Sequence, residues 1–182
     1  MNRTMNRIVR VLFLLAVACL LPLSFARSAQ EAASGWTPFE YLFGDWVGEG
    51  TGQPGQGAGG FSFGPDLQNH ILVRKNYAVY PPTQGRPGFR HDDLMVIYRE
   101  SDNTPPKAVY FDSEGHVIHY SVTASSDQKT IEFVSEALPS SPRYRLTYVK
   151  TGSDTVTLRF EIAPPGKPDS FSTYIEAKAK RK

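Results

Sequence analysis

The chain has 182 residues, 20 basic against 18 acidic, 40% hydrophobic content and a single cysteine. A near-balanced charge with no basic face excludes a nucleic-acid-binding domain, and one cysteine excludes a disulfide framework, so the fold must rest on packing. The length suits one domain with one core.

In chain order, the first element is an export signal. Arg3, Arg7 and Arg10 precede an apolar run from Val11 to Leu21, and Ser24-Phe25-Ala26 offers small residues around a cleavage position. That pattern predicts a signal peptide over 1–26 and an exported protein, periplasmic or secreted. The apolar run is shorter than the roughly 20 residues of a membrane span. Cys19 follows Ala16-Val17-Ala18 without the leucine usual before a lipidated cysteine, so no stable membrane anchor is expected in the mature chain. Removal of the leader leaves 156 residues without cysteine, and a charge of about −1 in place of +2. Residues 27–35 are expected to be a disordered lead-in to a domain over 36–182.

"WTPFEYLFG" allows one helical turn, opened by Pro38 and stopped by Gly44. Beyond it the chain is a series of short runs rich in valine, isoleucine, threonine and aromatics. Ten strands are predicted: Gly44–Thr51, Gly60–Leu67, Ile71–Tyr80, Asp92–Arg99, Lys107–Asp112, His116–Ala124, Thr130–Ser135, Arg143–Thr151, Thr155–Ala163 and Phe171–Lys178. "SEG", "SSDQ", "TGSD" and "PPGKPD" supply turn chemistry between them. Connections this short imply antiparallel neighbours. The fold class is therefore all-β, a single up-and-down barrel whose closure removes sheet edges, with a two-sheet sandwich as the alternative. Residues 81–92 form the longest internal connection, a lid over a barrel mouth or a long hairpin loop. Lys178, Lys180, Arg181 and Lys182 read as a solvated tail.

Gly50, Gly52 and Gly55 spell G-x-G-x-x-G, but Pro54 lies inside the motif and no helix can follow, so a dinucleotide loop is excluded. With period two, Gly44, Trp46, Gly48, Gly50 and Gly52 share one strand face. Such a face bends sharply, accepts a neighbouring side chain or leaves room for a ligand, and Trp46 would plug one barrel end.

Gly44-Asp45-Trp46 with Gly48, Gly50 and Gly52 resembles the G-x-W-x-G-x-G-x-G start of nitrobindin-type haem-binding barrels, within the calycin group that includes lipocalins and fatty-acid-binding proteins. The resemblance implies a ligand-binding barrel, with haem as the first ligand to test. It departs where such barrels carry a histidine ligand in the last strand: here "TYIEAKA" places Tyr174, and tyrosine can bind ferric haem.

Among other residues, His70, His91, His116 and His119 form no zinc signature. In "RHDD", His91 beside Asp93 is raw material for acid–base chemistry, as is His116 with Asp112 in the hairpin "FDSEGH". Arg143 and Arg145 share a face, and an inward Arg145 would receive a ligand carboxylate. The expected function is an exported barrel binding a small apolar ligand, haem or a fatty acid, with Trp46, His70, His91, His119, Arg145 and Tyr174 as cavity candidates. The alternatives are a small hydrolase or isomerase using a His/Asp pair, and a structural envelope protein with a filled core.

Overall fold

The computed structural model describes residues 35–49 and 57–182. The predicted leader with Cys19, most of the lead-in, and the glycines from Gly50 to Gly55 lie outside the described residues. The ten strands are β1 (Gly44–Gly48), β2 (Ala58–Asp66), β3 (Ile71–Tyr80), β4 (Phe89–Tyr98), β5 (Lys107–Asp112), β6 (Val117–Ala124), β7 (Thr130–Ser135), β8 (Arg143–Lys150), β9 (Thr155–Ala163) and β10 (Ser172–Arg181), preceded by a 3-10 turn over Thr37–Leu42. Each pairs antiparallel with its chain neighbour, and β1 pairs with β10 through Trp46 opposite Arg181 and Gly48 opposite Ala179, which closes the barrel. The sandwich is thereby excluded.

The period-two pattern explains which face turns inward. In β7, Ile131, Phe133 and Ser135 are buried while the residues between them are not. In β3 the inward set runs Leu72, Arg74, Asn76 and Ala78, aligned with Ile97, Met95, Asp93 and His91 of β4. Two boundaries differ from the sequence reading in a way that matters. β4 starts at Phe89, which shortens the connection after β3 to 81–88, and β10 runs on to Arg181.

One end of the barrel is sealed. Phe39 and Leu42 of the 3-10 turn are buried in the core, beneath Trp46, which is 1% exposed. Trp46 Nε1 donates to the Leu42 carbonyl at 2.8 Å. The Arg181 guanidinium lies 4.5 Å from the Trp46 ring centroid, and donates to the carbonyls of Phe43 and Tyr41. Those carbonyls end a 3-10 turn and have no intrahelical partner, so the arginine satisfies them while stacking on the indole. Arg99 repeats the arrangement over Trp36, 5.0 Å from its ring, while also donating to the Gly35 carbonyl. The basic tail is therefore a structural strap at Arg181 and not a frayed end. Gly44, at φ +104°, serves the same contact, since a Cβ there would sit 3.1 Å from Arg181 Nη1.

Above this end the interior is filled by Phe61, Phe63, Phe133 and Tyr148, packed edge to face at 5.3 to 6.3 Å. Gly59 and Gly60, at the described end of the glycine stretch, are explained by close backbone approach. A Cβ on Gly60 would stand 2.4 Å from the Trp46 carbonyl oxygen, so β1 and β2 could not meet there with any other residue.

Arg181→Ala is expected to lower the unfolding free energy by about 2–4 kcal/mol, from the lost cation–π contact and two unsatisfied carbonyls. Urea unfolding measures it. Arg181→Lys should recover less than half of the loss, because an ammonium cannot fork between two carbonyls while lying flat on the ring.

Candidate functional site

The connections after β3, β5, β7 and β9 gather at the end opposite the 3-10 turn. Toward that end the inward residues pass from buried to half-buried. Asn76, Ala78, His91, Tyr110, Ile118, Tyr144, Leu158, Phe160 and Ala177 all face inward by register, yet none is fully covered. The barrel interior is thus packed solid at the 3-10 end and only half-covered toward the other, a cup-like gradient of burial.

Its two walls differ in chemistry. On the β8–β10 side, Tyr144 stacks on Phe160 with centroids 5.9 Å apart, and Tyr174 meets Phe160 edge-on at 6.3 Å. On the β3–β6 side lies a connected polar network. Arg74, fully buried in the layer above Tyr148, donates through Nη1 to Asp93. The side chains of this pair are 5% and 4% exposed. Asn76 Nδ2 donates to the other Asp93 oxygen at 2.7 Å. His91 Nε2 is 3.2 Å from Tyr110 Oη and 3.4 Å from Asp93 Oδ2, while its Nδ1 is 2.9 Å from Glu114 Oε1. Tyr110 Oη donates to Asp112 Oδ2 at 3.3 Å, and His116 Nδ1 lies 2.8 Å from the same oxygen. The backbone N–H groups of Glu114 and His116 both donate to Asp112 Oδ1 at 2.9 Å.

The electrostatics follow from these contacts. For Arg74, burial works against the charge, but Tyr148 and Asp93 outweigh it and hold the guanidinium ionised. Burial pushes the Tyr148 phenol up to about 12, and burial, then Asp93 and Asp112, drive Tyr110 further up, so both phenols stay neutral. For Asp112 burial opposes ionisation, but the hydrogen bonds from the His116 backbone and side chain and from the Glu114 backbone prevail and lower its pKa. Arg74 Nε and Tyr148 Oη are buried without a hydrogen-bond partner. The two side chains lie against each other, with the guanidinium 5.9 Å from the Tyr148 ring centroid, so the interior is polar at this point.

The sequence candidates separate cleanly. His91, Asp93, Asp112 and His116 are drawn into the one network, and both proposed His/carboxylate pairs form. Tyr174 stands at the mouth in the β-bulge between Thr173 and Ile175, 69% exposed. Trp46 lies in the sealed end, so it is a core residue and lines no open space. His70 follows β2 in an exposed turn, and His119 points outward from β6. Arg145 also points outward, because the neighbouring Leu146 and Tyr148 occupy the inward face. It makes a two-pronged bond to Glu161 at 2.7 and 2.9 Å under the Phe171 ring, 4.3 Å away, so it is not a cavity arginine.

Sequence reasoning missed Arg74, Asn76 and Tyr110, and met Glu114 only as part of a polar hairpin shared with Asp112 and His116. The alternation Leu72, Arg74, Asn76 was the available signal, since a polar pair sharing a face with a core leucine points inward. Two surface grooves accompany the cup. One, of about 540 Å³, lies at the sealed end beside Tyr41, Asp127 and Lys150, away from the network. The other, of about 440 Å³, touches the network from the side at Asn76, Asp93 and Asp112. No family model matches the chain, and no curated protein is significantly similar to it.

Asp93→Ala is expected to destabilise the barrel by about 3–5 kcal/mol, because it strands the Arg74 charge in the interior. The double replacement Arg74→Met with Asp93→Leu should regain most of that in the same urea titration. The depressed pKa of Asp112 stabilises the fold above its unfolded value of about 3.9, and that stability is lost as pH falls through the folded value. The thermal midpoint is therefore expected to drop below about pH 4, and to drop less in Asp112→Asn.

Proposed function

We propose that the protein is a small-molecule-binding barrel, working outside the cytoplasm, that holds an amphipathic ligand in the open half of its cup. The exported setting rests on the sequence of residues 1–26. The observation that carries the binding reading is the two-faced cup, with an aromatic wall of Tyr144, Phe160 and Tyr174 opposite a polar network anchored on Arg74. An apolar body fits the first and a polar head the second.

The charge of the network selects the head. Arg74 is neutralised by Asp93, and Asp112 and Glu114 follow it toward the mouth. Among the described residues no second lysine or arginine faces inward in the open half. A ligand carboxylate would meet carboxylates there, whereas an amine or a neutral donor would be received. This disfavours the fatty acid and the propionates of haem that the family resemblance suggests. A haem held by Tyr174 would lie at the mouth.

A second reading has one observation behind it. His91 lies within hydrogen-bond reach of Glu114 and Tyr110, the arrangement a general base requires. Conversion of a bound compound, seen by mass spectrometry and abolished in His91→Gln, would establish it.

The binding reading is tested by calorimetric titration with octylamine, octanol and octanoate, which share one apolar body, and with hemin. Octylamine and octanol should bind more tightly than octanoate, and Tyr144→Ala should weaken both. Tighter binding of octanoate or hemin would overturn the proposed charge preference. Absence of binding by every probe would favour a solid structural barrel.

A further inference from the structure

We infer that His91, Asp112 and Glu114 form a binding site for a divalent transition-metal ion at the rim of the cup, with zinc as the best-matched ion. One nitrogen and two carboxylate oxygens, one atom from each residue, lie within 4.8 Å of one another. An ion with bonds of about 2.0–2.2 Å holds its ligand atoms roughly 3–4 Å apart. The set therefore needs to contract by up to about 2 Å on that geometry. Glu114 can supply that movement, since it sits on the turn between β5 and β6 with its side chain 52% exposed. The other two residues are anchored.

The anchoring is what a metal site asks of the groups behind its ligands. Asp112 has one oxygen held by the backbone N–H groups of Glu114 and His116, so its other oxygen is aimed at the cluster. His116 and Tyr110 contact that second oxygen and fix its direction. His91 has Nδ1 toward Glu114 and Nε2 toward Tyr110 and Asp93. A neutral imidazole can therefore coordinate through Nδ1 while its Nε2–H is held from behind, which fixes the tautomer. The three ligands come from β4, the end of β5 and the following turn, so the barrel itself sets their spacing.

Charge points the same way. Two carboxylates crowd His91 with a third, Asp93, behind it, and Arg74 neutralises only the last. A dication balances the remaining two. Donors of mixed nitrogen and oxygen type suit zinc or manganese better than calcium or magnesium, which favour all-oxygen sets. Three ligands leave positions open toward the cup, where water or a ligand atom could complete the shell.

Calorimetry with zinc chloride on the metal-free protein, without any organic ligand, tests the site separately from the binding reading above. One saturable equivalent is expected. His91→Gln and Glu114→Gln should each weaken it at least tenfold, and His116→Gln should weaken it less, through Asp112. His70→Gln and His119→Gln should leave it unchanged. Near-ultraviolet circular dichroism and the urea midpoint of each variant check that the barrel is intact; Glu114→Gln, at the exposed turn, should match the parent. No saturable zinc binding, or binding unaffected by both His91→Gln and Glu114→Gln in folded protein, would overturn the inference.

Discussion

The contact on which the rest of the molecule depends is Arg181 lying over Trp46. A ten-stranded barrel is a wide tube, and its walls alone do not decide which end is filled. The 3-10 turn decides it by laying Phe39 and Leu42 across one end, but a single short turn is a weak element by itself. It is held because Arg181 satisfies its terminal carbonyls and presses on the indole below, while Trp46 donates back to Leu42. The same residue pair, Trp46 opposite Arg181, closes the β1–β10 seam. Closure, capping and core packing thus converge on one side chain. The polar network lies toward the other end.

At that other end the physics changes from packing to charge placement. A buried Arg74–Asp93 pair gives little net stability, because the desolvation of both groups offsets their attraction. Its effect is on position: with Asn76 it pins Asp93, and the network above then runs through His91, Tyr110, Asp112 and Glu114 to the rim. The neutralised pair at the bottom leaves the rim acidic. That polarity underlies both the preference proposed for the ligand head and the metal site inferred at the rim, two consequences of one arrangement.

Much of the architecture was legible in the sequence because alternation and turn chemistry act locally. β3, β5, β7 and β9 have the limits expected from their residues alone, since proline, glycine, serine and aspartate mark their ends. The fate of the C-terminus was not legible. "KAKRK" reads as a solvated tail until β1 is known to lie beside it, and only the closed topology brings Arg181 onto Trp46, 135 positions earlier in the chain. The site was half legible for the same reason. His91 with Asp93 and His116 with Asp112 are near neighbours, so local reading found each pair. Their union through Tyr110, and the role of Arg74, need the register between β3, β4 and β5. Arg145 shows the opposite failure: its type suggested a ligand contact, while its parity beside Leu146 and Tyr148 placed it outside.

The interior is packed solid around Trp46 and only half-covered beyond Arg74. Hydroxyl-radical footprinting read by mass spectrometry tests it most directly, because both halves carry inward aromatics of comparable intrinsic reactivity. The account predicts oxidation at Tyr110, Tyr144 and Phe160, with Trp46, Phe133 and Tyr148 protected until the protein unfolds. Equal protection of both groups would mean a barrel filled from end to end and would contradict the cup on which the proposed function rests.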